Sequence, residues 1–330
     1  PTIEPQQSNN SLNMPKVLIL GATGYIGRQL ANLLVQSGQH TVYGVTRSSA
    51  KAKQLAKDEI VPIVCPDPVN QPDPYAEIIR SKHIDVVVDV AGADAGSHQF
   101  LDTMVLLGKE RIAGSPKLGY IYCSGTWVHG SSHEPVNDLD IVGDGANTPP
   151  EELVAWRVGM EKAVLNATDV LDVMILRPAL IYGRESTIWA SYITPVLEAA
   201  KKGAGIVEVP LDPLSRPGLI HVDDTAKAFV RAIEKVHLFP GTGVYPVFDL
   251  VTSQESMRDV FTALAHAWGF SGTVELKGHG GDLFNKAMGT NFRGSSARAK
   301  QLLGWEPTRL NGFVQDMDIY AAAFVAEHIE

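Results

Sequence analysis

Short runs of consecutive apolar residues, spaced by stretches with helical periodicity, organise the first part of the chain. The runs are Lys16–Leu20, His40–Thr46, Ile60–Val64, Ile84–Val90 and Leu118–Cys123. They are apolar almost throughout rather than alternating, the signature of strands covered on both faces by helices. Between them, Tyr25–Ser37 carries Ile26, Leu30, Leu33 and Leu34 at helical spacing and closes on Gly38, a good helix stop. Ser97–Ile112 reads as a further helix. Strands and helices taken in this order predict an α/β protein with a Rossmann-type, doubly wound parallel sheet.

The second half is more mixed. A long helix is predicted over Glu151–Thr168 after the start signal Thr148-Pro149-Pro150, then a strand over Asp172–Leu176 broken by Arg177-Pro178. Helices follow over Ile188–Lys202 and over Asp224–Val236, the latter capped by Asp223 or Asp224. Later come strands over Tyr245–Leu250 and Thr273–Leu276 and helices over Glu255–Trp268, Ser295–Leu303 and Asn311–His328. These elements exceed a complete nucleotide-binding unit and predict a smaller C-terminal substrate lobe. The expected division is a flexible tail over 1–14, a mainly cofactor-binding domain over 15–180, and the remaining Rossmann elements with the lobe over 181–330.

Composition narrows the class. With 330 residues, a formal charge of −9 and a pI near 5.6, the chain is expected to bind neither nucleic acid nor a membrane surface. Its two cysteines, Cys65 and Cys123, lie at the ends of apolar runs without disulfide spacing, which fits a reducing compartment. Neither a signal-peptide pattern nor a run of about 18 apolar residues is present, so a cytoplasmic protein is expected. No cluster has metal-ligand spacing, and no metal is expected.

Gly21-Ala22-Thr23-Gly24-Tyr25-Ile26-Gly27 places three glycines between a predicted strand and a predicted helix. Gly21 suits a tight turn, Gly24 a close approach of pyrophosphate, and Gly27 close packing of helix on sheet. The helix N-terminus then turns free N–H groups toward the phosphates. NAD sites usually carry an acidic residue at the end of the second strand, yet no Asp or Glu occurs over 28–57. Arg47 and Ser48 stand there instead, and an arginine fork with a hydroxyl predicts NADP(H) as cofactor.

Several motifs together resemble the extended short-chain dehydrogenase/reductase family, the NAD(P)-dependent epimerases, dehydratases and related reductases. They are GATGYIG at 21–27, the strand ending Val90-Ala91-Gly92, and the Ser/Thr-rich strand end before Val128-His129-Gly130. Arg177-Pro178-Ala179-Leu180-Ile181-Tyr182-Gly183, His221-Val222-Asp223-Asp224 and Leu302-Leu303-Gly304-Trp305-Glu306-Pro307 complete the set. The resemblance implies that Asp67 contacts adenine, that Ala91 and Gly92 line the ribose side, and that the stretch from Arg177 to Gly183, Pro178 included, approaches nicotinamide and substrate. His221 is counted with the cofactor positions. Many family members are homodimers built on two long helices, so a homodimer is among the expectations.

The family's Tyr-x-x-x-Lys pair is missing. The corresponding helix contains no tyrosine, and its two registers place either Leu153 with Arg157 or Trp156 with Met160. The first keeps Glu161 four residues beyond the cation. Arg157 can then hold the cofactor ribose but cannot be a general acid. Candidate catalytic groups are Thr126, Ser124, His129 and Tyr182, with His133, Glu134, Asp94 and His98 also near predicted strand ends. The expected activity is an NADPH-dependent reductase of a small, fairly apolar carbonyl, enone or imine with a non-standard proton donor. The alternatives are a non-redox isomerase or cyclase, and a catalytically inactive NADP(H)-binding regulator.

Overall fold

The computed structural model describes residues 14–92, 94 and 96–328. Apart from Met14, the tail expected over 1–14 lies outside them. The first half alternates strand and helix: β1 (Lys16–Leu20), α1 (Tyr25–Ser37), β2 (Thr41–Thr46), α2 (Ser49–Lys57), β3 (Val61–Val64), α3 (Asp73–Lys82), β4 (Val86–Asp89), α4 (Gly96–Lys109) and β5 (Leu118–Cys123). Then come β6 (Pro135–Asn137), α5 (Trp156–Asn166), β7 (Leu171–Pro178), β8 (Leu180–Tyr182), α6 (Ala190–Lys202), β9 (Ile206–Val209), β10 (Gly218–His221), α7 (Val222–Lys235) and β11 (Val247–Leu250).

Seven of these strands form one parallel sheet in the order β11-β7-β5-β4-β1-β2-β3. The order reverses between β1 and β4, and ligands of such sheets bind in the crevice at that switch point. Period-two alternation within β1 builds both faces of the core. Val17 and Ile19 pack with Leu30 and Leu34 of α1 and Phe229 of α7, while Leu18 and Leu20 pack with Tyr75, Phe100 and Met104 of α3 and α4. All four β1 side chains are essentially inaccessible, as strands covered by helices on both sides must be.

A third apolar cluster, centred on Trp189, Tyr192, Phe261, Phe313 and Phe324, forms the C-terminal lobe. Its later elements include α8 (Met257–Ala267) and a last helix over Met317–His328. Three local expectations are corrected. β7 runs through Arg177-Pro178 instead of breaking there, because Ser124 N–H to Leu176 O and Ala179 N–H to Leu250 O, both 2.8 Å, carry the ladder past the missing proline donor. The cap of α7 is His221, whose Nδ1 accepts the Asp223 N–H at 3.1 Å, so neither Asp223 nor Asp224 fills that place. Over 151–168 only α5 is α-helical, flanked by short 3-10 turns. Glu151 at the expected helix start is drawn inward, where it accepts a hydrogen bond from Thr290 Oγ1 at 3.1 Å.

Candidate active site

The turn from β1 into α1 leaves no room for side chains. Gly21 has φ +89°, and a Cβ there would sit 2.7 Å from Ala91 Cα; a Cβ on Gly27 would sit 2.1 Å from Gly21 O. Gly24 N–H closes the turn on Gly21 O at 2.9 Å. No side chain caps α1 and its first turn holds no acid, so its leading N–H groups remain available to an anion. In front of this loop lies a cavity of about 500 Å³ that gathers Gly21, Thr23, Gly24, Arg47, Asp67, Ala91 and Gly92. These fit a dinucleotide: glycine backbone for the pyrophosphate, a helix N-terminus behind it, and a polar far end.

That far end differs from the expected phosphate fork. Ser48 Oγ accepts the Lys51 N–H at 3.3 Å as the cap of α2, and Ser48 does not line the cavity. Asp67 faces the same cavity as Arg47, and hydrogen bonds from the Asn70 side chain and backbone hold its carboxyl below the usual range. A carboxylate there opposes a second phosphate by like-charge repulsion.

A second cavity, of about 220 Å³, shares Gly92 with the first and opens at the ends of β5 and β7. Tyr25, Ile26, Ser124, Thr126, Arg157 and Pro178 all reach it, so it is where the sequence candidates converge. Ser124 Oγ is buried without a hydrogen-bond partner, and so is Arg157 Nε. The Arg157 guanidinium lies over Gly125, where an added Cβ would come within 2.8 Å of Nη1. Of the two registers on the helix, therefore, it is Arg157 that points into the cavity, while Met160 is in the core. The Tyr25 hydroxyl donates to Gly183 O at 2.5 Å, and burial pushes its pKa up. Burial also pushes the neighbouring Cys123 thiol up to about 12.

Other candidates lie elsewhere. His129 is buried with Nε2 2.9 Å from Asp249 Oδ2 and its ring stacked on Phe292. Neither Asp249 oxygen has a hydrogen-bond partner, so the two side chains are close without a formed hydrogen bond. Tyr182 is fully buried, its ring stacked 4.6 Å from that of Phe313 and edge-on to His221 and Tyr320. Burial lowers the His221 pKa to about 4. His129, Tyr182, His221 and Ser48 line neither cavity.

Sequence reasoning reached most of the apolar wall of the second cavity, formed by Trp127, Leu180, Ile181 and Ile188, since Leu180 and Ile181 lie in the stretch expected at nicotinamide and substrate, but it missed Ile188. It also missed the ionic cluster behind it, in which Arg177 joins Glu161 and lies 3.6 Å from Asp249. An arginine directly after the apolar run Val173-Met174-Ile175-Leu176 was the available signal, because such a charge is buried only with partners. Among the described residues, no group of three or more His, Cys, Asp or Glu side chains is placed to hold a metal ion, and no helix is long and apolar enough to cross a membrane.

A phosphate-turn glycine loop at the switch point of a seven-stranded parallel sheet, with a second lobe beside the crevice, defines a Rossmann-type dinucleotide-fold protein. The chain belongs to the NAD dependent epimerase/dehydratase family, whose model matches residues 17–247. No curated protein matches it.

Solved structures share the fold. The chain is similar to dTDP-glucose 4,6-dehydratase from Bacillus anthracis in complex with NAD, at 16% identity and TM-score 0.70, over 96% of this chain and 97% of that one. It is similar to UDP-glucose 4-epimerase from Bifidobacterium longum in complex with NAD+ and UDP, at 19% identity and TM-score 0.69, over 95% and 98%. UDP-glucose 4-epimerase from Thermotoga maritima with UDP-glucose matches at 18% identity and TM-score 0.68, over 96% and 100%.

These findings correct the expected cofactor and activity. The similar structures described with a dinucleotide carry NAD, which overturns the expectation of NADP(H) from Arg47 and Ser48. The family and these likenesses also overturn the expectation of an NADPH-dependent reductase of a small apolar carbonyl, enone or imine. The physical reason lies in the cavity itself: Ser48 caps α2 and does not line it, while the carboxylate of Asp67 faces it beside Arg47.

Proposed function

We propose that the protein is an NAD-dependent enzyme of the epimerase/dehydratase type that acts on a nucleotide sugar. The observation that carries this reading is the pair of cavities joined at Gly92, one in front of the glycine loop and one at the ends of β5 and β7. In this reading residues 15–180 supply most of the cofactor site and 181–330 the substrate side. Gly21, Thr23, Gly24 and the start of α1 hold the pyrophosphate, Asp67 faces the adenosine, and Ala91 and Gly92 flank the ribose.

A bound nicotinamide supplies the hydride acceptor. The chain must then manage the proton of the sugar hydroxyl without a phenol on α5. Tyr25 is tied to Gly183 O, which leaves the hydroxyls of Ser124 and Thr126 as the groups that pass this proton to water. Trp127, Leu180 and Ile188 form the apolar wall beside the reacting end, while the mouth of the cavity leaves water access to the hydroxyls.

The test is an equilibrium titration of cofactor-stripped protein with NADH and NADPH, followed by incubation of the NAD-loaded protein with a panel of nucleotide sugars. A preference for NADH of about tenfold, about 1.4 kcal/mol, and a sugar-dependent change in nicotinamide absorbance are expected. Binding of neither dinucleotide overturns the reading. A homodimer, as in many family members, is part of the proposal and is read from sedimentation of the same preparation.

A further inference from the structure

Arg157 is a cation without a counter-ion. Its Nε is buried and unpartnered, and no carboxylate among the described residues forms an ion pair with it. Its nearest aromatic neighbour is Trp156, with the guanidinium carbon 5.5 Å from the ring centroid. The buried arginine at the end of β7 is not left so: Arg177 holds Glu161, and the half-buried Arg298 lies 3.0 Å from Asp138. Even the polar cavity between α1 and α7 has its charges met internally, Arg184 on Asp223 and Lys227 on Asp224. Taking a cation out of water without a partner is costly, so an uncompensated one facing a cavity marks the place of an anion from outside.

A second orphan points the same way. Ser124, 5% exposed, lines the same cavity with an Oγ that has no partner. Gly125 between them has no side chain, so the guanidinium face stays open. The cavity contains no Asp or Glu.

We propose that Arg157 and Ser124 form the receptor for a carboxylate carried by the substrate, so that the sugar is an acid whose carboxylate lies beside the reacting carbon. The planar guanidinium takes both oxygens through parallel N–H bonds, and the Ser124 hydroxyl donates to one of them. An anchor at this point turns the adjacent carbon toward the shared edge of the two cavities. The inference rests on reading the second cavity as the reacting site, and it sets Arg157 on the substrate rather than on the cofactor ribose.

Trifluoroacetate is the probe, followed by fluorine NMR on the full chain with and without NAD. Saturable binding to the unaltered protein is expected, weakened about tenfold or more in Arg157→Gln and about threefold in Ser124→Ala. Arg157→Lys, which keeps the charge but loses the fork, falls between. Carboxylate raises the melting temperature of the unaltered protein and leaves that of Arg157→Gln unmoved. Without the anion, Arg157→Gln melts no lower than the parent, because it removes an unpaired charge; a structural arginine would give the opposite.

Equal affinity in the parent and Arg157→Gln, or no saturable binding to the parent, overturns the proposal. So does a loss of NAD affinity in Arg157→Gln with trifluoroacetate binding retained, which assigns the arginine to the cofactor. NAD titrated in the same samples separates the two readings. Intact NAD binding without anion binding sinks this inference alone, whereas anion binding without NAD binding sinks the functional reading alone.

Discussion

Arg177 grips both carboxylate oxygens of Glu161, Nε to Oε1 at 2.9 Å and Nη2 to Oε2 at 2.5 Å, with the two side chains 1% and 3% exposed. The pair bolts α5 to the end of β7 behind the second cavity. Removing one member of a buried pair leaves the other charge desolvated and alone. Glu161→Gln is therefore expected to lower unfolding stability by about 3 kcal/mol, the low end of the usual cost, since Arg177 keeps Asp249 nearby. Urea denaturation measures it, and a loss below about 0.5 kcal/mol would show the pair to be dispensable.

Gly27→Ala tests the phosphate turn. The added methyl would lie 2.1 Å from Gly21 O, so the turn must open. NAD affinity is expected to fall about tenfold or more, with a stability cost of about 1 to 3 kcal/mol. Calorimetric titration reads the first effect and thermal melting the second. Unchanged affinity would remove this loop from the cofactor site.

Ser48→Ala separates a helix cap from a cofactor ligand. Loss of the bond from Lys51 N–H should cost about 1 kcal/mol of stability. NAD binding should stay within about twofold, well under the 1.4 kcal/mol of a tenfold change. A larger drop in NAD affinity would return Ser48 to the site.

Asp89 couples stability to pH near neutrality. Complete burial raises its pKa from 3.8 to about 6, against the opposing hydrogen bonds from Ala91 N–H and Tyr120 Oη. The folded protein therefore holds this proton more tightly than the unfolded chain. The resulting stability is full below pH 3.8 and is lost as pH rises through about 6, a change of about 3 kcal/mol at most. Asp89→Asn should remove that slope and be relatively more stable above pH 7 than below pH 4. Denaturant melts across this range that show parallel curves for the two proteins would refute it.

Much of the architecture was legible because it rests on local patterns. An all-apolar run such as Lys16–Leu20 has to be covered on both faces, and glycines at 21, 24 and 27 suit a turn that admits no Cβ. Shorter elements were harder to read. β8 and β10 are brief strands whose pairing partners lie far along the chain, and α2 has a largely polar surface with only Ala52 and Leu55 buried. The site was partly legible: Ser124, Thr126, Arg157 and Pro178 were named and meet at one cavity with Leu180 and Ile181, while Ile188 was not foreseen and His129 and Tyr182 turned out to lie elsewhere.

By itself the sequence determined the doubly wound sheet, the phosphate turn and the absence of a phenol on α5, since each depends on residue type at close spacing. Only the tertiary structure decided where charges find partners. Arg177 and His129 are turned toward Glu161 and Asp249, Tyr182 is stacked into the core, and Arg157 is left without a counter-ion at the cavity. The physical reason is that the cost of a buried charge depends on groups brought within a few ångströms by the fold, and residues 161, 177 and 249 become neighbours only when α5, β7 and β11 pack together.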